Sequence, residues 1–165
     1  MRHGEESVQW PVTLLGLAGY LSVVGYAVAG VFQILVWNPL AAVPGATLDE
    51  IHAVMDRANE SLSAPVVLVW AATGTLLAAA VLIATLKQSI SIKVTTVLYL
   101  LLLALGAPSH MMASFPAGMG IADAFATSGG DHAPWGVMLY IVSALAFLAL
   151  PVVAVSRNRP EAPGV

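Results

Sequence analysis

The sequence predicts an all-α integral membrane protein: a four-transmembrane-helix bundle with a short amphipathic extracytoplasmic helix between spans one and two. Three observations predict it. Apolar residues make up 59% of the 165-residue chain and charged residues 9%, against about 45–50% and about 25% in soluble domains. The mean hydropathy is +0.87. Charged residues cut the chain into four apolar blocks, and a hydrocarbon core about 30 Å thick asks about 20 helical residues of each. Helix is the conformation that satisfies the backbone where lipid offers no partner. The spans form one membrane domain over residues 1–156, followed by a polar, proline-bearing tail, 157–165, expected to be disordered in the cytoplasm.

The first span covers residues 12–37. Its "YAVAG" offers a small-x-small cleavage pattern ending at Ala29. The apolar run continues through "VFQILVW", and Glu5 and Glu6 weaken the basic leader region, which favours a retained span. Gln33 is the most polar side chain within any span and lies seven residues from Tyr26, on the same helical face. An amide facing lipid leaves polar groups unpaired, so Gln33 is expected inside the bundle. There it either makes a packing hydrogen bond or, with Tyr26, lines an outward-opening pocket.

Residues 47–60 form the amphipathic helix. Thr47 and Glu50 make a capping box. Leu48, Ile51, Met55 and Ala58 recur at helical spacing, opposite Asp49, His52, Asp56 and Arg57. His52 and Asp56, at i and i+4, can reach one divalent ion, or form an ordinary solvated pair. "NES" at 59–61 fits a glycosylation acceptor without identifying a host.

The second span covers residues 65–86, and "KQSISIK" turns it back as a tight hairpin into the third, residues 94–112. The third is expected to fade at Met112, leaving "FPAGMGIADAFATSGGDHAP" as a loop before the fourth, residues 135–155. Gly16, Gly19, Ser22, Gly74 and Ala78 are candidate close-packing positions.

Orientation follows from the basic residues near span ends. Arg2, Lys87, Lys93, Arg157 and Arg159 fall on one side of this topology, and only Arg57 on the other, with Asp49, Glu50, Asp56, Glu60, Asp123 and Asp131. The basic side is expected to be cytoplasmic, with both termini, and both long loops extracytoplasmic, in a plasma membrane. Trp10 at the inner boundary, and Trp37 and Trp135 at the outer one, suit an aromatic belt.

The chemistry is sparse. Cysteine is absent, which removes disulfides, thiolate metal sites and covalent haem attachment of the Cys-x-x-Cys-His type. No ionisable side chain lies near the middle of a span, which disfavours coupled transport, proton relays and voltage sensing. No basic run suggests nucleic acid. His110 closes the third span, and Asp131 and His132 precede the fourth. Antiparallel packing would bring His110 and His132 to similar depth, with Asp131, His52, Met111 or Met112 as further ligands. Imidazole with thioether suits copper, imidazole with carboxylate suits zinc, and a His–His or His–Met pair can hold haem. Against this, interfacial histidines and helix-end methionines are ordinary structural features, and no metal signature motif occurs.

No catalytic constellation can be assembled, so an enzyme is disfavoured. The sequence favours a small non-enzymatic accessory, assembly or sensing subunit acting through its outer loops, with lipid and a membrane-protein partner or further copies of itself as its contacts. One alternative is an outward-facing metal- or haem-binding redox or handling protein centred on His110 and His132. Another is an oligomeric small-solute permease or lipid-facing enzyme.

Overall fold

A computed structural model describes the backbone of residues 3–156 and the side chains of residues 12–156. The polar tail at 157–165 and the side chain of Trp10 lie outside the described residues. The elements are α1 (His3–Phe32), a π-helical turn (Gln33–Trp37), α2 (Asn38–Ala42), α3 (Leu48–Arg57), α4 (Ala64–Leu86), α5 (Ile92–Ala104), α6 (Gly106–Phe125) and α7 (Gly136–Val155). Four helical stretches are long and apolar enough to cross a membrane: Val12–Ala42, Ala64–Leu86, Ile92–Phe125 and Gly136–Val155. The chain is a small four-span membrane protein.

Its surface fits lipid. Leu76, Phe147 and Leu148 are each at least 65% exposed. Exposed large apolar side chains of this kind recur along every span, where water would be a costly neighbour and acyl chains are not.

The first span outruns its expected end. Helix continues past Trp37 through "NPLAA" to Ala42. Pro39 supplies no N–H to the carbonyl four residues back, and its ring crowds that turn. The ladder widens here instead: the Asn38 amide donates to the Gln33 carbonyl, five residues earlier.

The third span differs more. Residues 113–125, expected as loop, are helical, so the run from Ile92 to Phe125 has 34 residues and a length of about 50 Å at 1.5 Å per residue. That exceeds a hydrocarbon core of about 30 Å. Gly118 and Gly120 look like loop residues in sequence. In the fold they let other backbone approach the helix: Gly118 lies against Gly129, and a Cβ on Gly120 would stand 2.9 Å from the Ser61 carbonyl oxygen.

The overhanging end of α6 is covered by α3. Ile51 and Met55 are buried with Leu62, Val67, Ala113, Ala117 and Ile121. The capping box is present: the Glu50 amide donates to Thr47 Oγ1 at 3.3 Å, and the Thr47 amide to Glu50 Oε2 at 2.8 Å. The amphipathic helix thus turns its apolar stripe onto the bundle, and its polar stripe, His52 and Asp56 included, outward.

At the opposite end, Lys87 to Ser91 form the tight hairpin between α4 and α5. Lys93 Nζ donates to the Ser156 carbonyl at 2.8 Å, tying the end of α7 to that hairpin.

The α5–α6 junction has a specific cause. The Ala107 amide would ordinarily bond the Leu103 carbonyl. Here the Ser143 hydroxyl of α7 is inserted between them, accepting from Ala107 N at 2.9 Å and donating to Leu103 O at 2.7 Å. It also stands 3.1 Å from the Tyr26 hydroxyl. One O–H and two lone pairs cover all three contacts. A side chain placed in the ladder is a recognised cause of a helix break.

Candidate functional site

The residues richest in polar chemistry converge where the π-helical turn, α6, α7 and the loop 126–135 meet. Gln33 opens the π-helical turn and is 1% exposed. Its Nε2 lies 3.4 Å from Asp131 Oδ1 and 3.4 Å from the Ala133 carbonyl. Both partners are acceptors, which fixes the orientation of the amide. Asn38, five residues on, holds the same loop. Its Oδ1 accepts from the amides of His132 at 2.6 Å and Ala133 at 3.3 Å, and its Nδ2 donates to the Gly130 carbonyl at 3.4 Å. The π-helical register therefore brings two amide side chains of one helix onto one loop, a placement such turns often serve at working sites.

Asp131 is the charge in this cluster. Its Oδ2 accepts a 2.8 Å hydrogen bond from the Tyr140 hydroxyl on α7. Gly136, one turn before Tyr140, makes room: a Cβ there would stand 2.8 Å from Gln33 Nε2 and 3.1 Å from Asp131 Oδ2.

His110 sits on the inner face of α6 and is fully buried. Its ring meets Trp70 edge-on at 5.6 Å and Tyr140 edge-on at 6.2 Å. Trp70 is itself anchored, its Nε1 donating to Ser109 Oγ at 3.0 Å. Tyr140 links the imidazole to Asp131, its ring against His110 and its hydroxyl on the carboxylate. Among the described residues, both ring nitrogens of His110, and Gln33 Oε1, find no hydrogen-bond partner. A neutral imidazole offers one donor and one acceptor. The three bare atoms therefore ask for two donors and one acceptor from whatever meets them.

The sequence-predicted site residues do not all come together. Gln33, Asp131 and His110 fall in one cluster, joined by Asn38 and Tyr140. His132 contributes its backbone amide, while its ring turns to Ser128, 3.3 Å from Oγ and 3.0 Å from the carbonyl oxygen. The two imidazoles, of His110 and His132, thus have different neighbours. Met111 and Met112 are 58% and 79% exposed, whereas His110 faces inward. His52 and Asp56 line a separate cleft of about 250 Å³ beside Ser61 and Ser63, at the junction of α3 and α4. Among the described residues, no three of His, Asp or Glu gather as a metal-holding group. Tyr26 lines a different cleft, between α1, α4 and α6, with Trp70 and Ser109.

Asn38, Trp70 and Tyr140 were not legible as site residues. Asn38 precedes a proline and reads as loop. Tyr140 and Trp70 read as apolar span residues. The available signal was one of spacing: Asn38 lies five residues after Gln33, the hydrogen-bond spacing of a π-helical turn rather than of an α-helix. No family model, curated protein or solved structure matches the chain.

Proposed function

We propose that this four-span protein is a non-enzymatic sensing subunit. Its recognition centre is the cluster of buried His110 and Gln33 with half-buried Tyr140 and exposed Asp131, and its output surfaces are the loop 126–135 and α3. The observation that carries this is the set of three buried polar atoms without partners, contributed by His110 and Gln33. An unpartnered buried group costs about 1–3 kcal/mol, so a purely structural core has reason to shed it. A small uncharged ligand with hydroxyl or amide groups supplies the missing donors and acceptor. Asn38 and Gln33 hold the loop directly over the cluster, so a change at His110 has a short path to the surface. The bias of basic residues supports an orientation with the loop outside the cell and the hairpin in the cytoplasm.

Isolation of the chain from its own membranes in mild detergent, with mass analysis of what accompanies it, tests this proposal. The expected result is a small species bound to the wild-type chain and absent from His110→Leu. Wild-type and variant preparations that carry the same species, or none, contradict it.

A metal- or haem-handling role is the second reading, favoured by the two bare nitrogens of His110, which Tyr140 links to the Asp131 carboxylate. Stoichiometric copper or zinc, or haem absorbance, lost in His110→Ala supports it. Substoichiometric metal and no haem band in the wild type ends it.

A further inference from the structure

The seam between α4 and the α5–α6 run is open over much of its length. On α4 the residues facing it are Trp70, Gly74, Leu77, Val81 and Ala84, a stripe of helical spacing. Opposite stand Leu98, Leu102, Leu105 and Ser109. Two clefts, of about 320 Å³ and 330 Å³, adjoin along this seam and share Leu77, Leu102 and Leu105. Together they form one groove. From Trp70 to Ala84 it follows α4 for about 21 Å at 1.5 Å per residue. That exceeds the half-thickness of the hydrocarbon core, about 15 Å.

The groove is polar at one end only. Leucine, valine and alanine dominate toward the hairpin. Tyr26, Thr73 and Ser109 lie at the other end, beside Trp70. Among the described residues, no Asp, Glu, Lys, Arg or His lines either cleft. Width selects the occupant. Spread over about 21 Å, the two clefts give the groove a mean cross-section of roughly 30 Å², against about 80 Å² for a helix about 10 Å across, so a partner helix or a second copy does not enter. A single extended hydrocarbon chain does, and the spans place the groove among such chains.

We infer that this groove is a binding site for one chain of a membrane amphiphile with an uncharged, hydroxyl-bearing head. The tail lies between Leu77 and Ala84, and the head lies against Ser109 and Trp70. The groove shares Trp70 with the His110 cluster, but its tail end runs away from it along α4, and the inference stands without the sensing role.

A diazirine-bearing hexadecanol, incorporated into phosphatidylcholine vesicles with the full chain, tests it. Photolabelling of residues 70–84 and 98–109 is expected to saturate and to be displaced by unlabelled hexadecanol. A Cβ at Gly74 meets open space, so Gly74→Leu fills the groove without a backbone clash. It is expected to cut labelling about tenfold, the equivalent of about 1.4 kcal/mol. Ala84→Leu repeats the test at the other end. Leu76→Phe, on the exposed face, is expected to label like the wild type. Non-saturating label spread evenly over the exposed faces at Leu68, Leu76 and Leu145 overturns the inference. So does undiminished labelling in both filled variants, or equal displacement by palmitate. Labelling abolished by His110→Leu but spared by Gly74→Leu also overturns it, by moving the chain off the groove.

Discussion

Tyr140 donates a 2.8 Å hydrogen bond to Asp131, nine residues earlier in the chain. It fastens the loop after α6 to the first turns of α7 and positions the one carboxylate of the polar cluster. Removing the hydroxyl in Tyr140→Phe leaves Asp131 with only the longer contact to Gln33. Hydrogen bonds to charged groups contribute about 1.5–3 kcal/mol. Asp131 is exposed, so a loss of about 1 kcal/mol is expected after solvent screening. Thermal unfolding in detergent reads it, and amide exchange should speed up across residues 126–135.

Asn38 holds that loop from the other side. In Asn38→Leu the amides of His132 and Ala133 lose their shared acceptor. At about 1–3 kcal/mol for each buried group left unpaired, this change should exceed Tyr140→Phe in its effect on stability. Exchange at His132 and Ala133 is the site-resolved measurement. Unchanged protection there would remove Asn38 as the clamp.

Ser143 makes a narrower prediction. Ser143→Ala withdraws the hydroxyl that separates Ala107 N–H from Leu103 C=O. The direct bond can then re-form, so α5 and α6 should straighten into one helix. The expected signature is slower exchange at Ala107, with a stability loss of about 1 kcal/mol for the broken contacts.

The cap of α3 sets a pH dependence. Hydrogen bonds from the Thr47 backbone and side chain hold the exposed Glu50 carboxyl below its ordinary value of 4.5. A folded-state value lowered in this way gives stability that is complete above the unfolded value and lost as pH falls through the folded one. The first turn of α3 should therefore fray as the pH drops below that ordinary value of 4.5. Glu50→Gln keeps a side chain that can accept from Thr47 but should abolish that pH dependence. NMR of the Glu50 amide through the titration follows both.

The spans were legible because charge and hydropathy act over twenty residues at a time. The inward position of Gln33 was legible from the cost of an amide in lipid. The far half of α6 was not. Pro116, Gly118 and Gly120 carry the composition of a loop, and only backbone brought from Ser61 and Gly129 explains the glycines. The π-helical turn was also hidden, because Pro39 marks a disturbed ladder without saying whether the helix ends or widens. His110 was expected to close its span. The continuation of α6 puts it inside the helix instead, and its partners Trp70 and Tyr140 come from spans whose sequences read as uniformly apolar. Pairings between helices leave no local trace in a single chain.

The most direct test of the buried polar centre is thermal unfolding of ligand-free protein in detergent, comparing the wild type with His110→Leu, whose two ring nitrogens are both unpartnered. Replacing the imidazole by an apolar side chain removes its desolvation cost. The expected result is a higher melting temperature for the variant, with loss of any species the wild type retains from its membranes. A melting temperature several degrees lower, as for damage to a well-satisfied core, would contradict it.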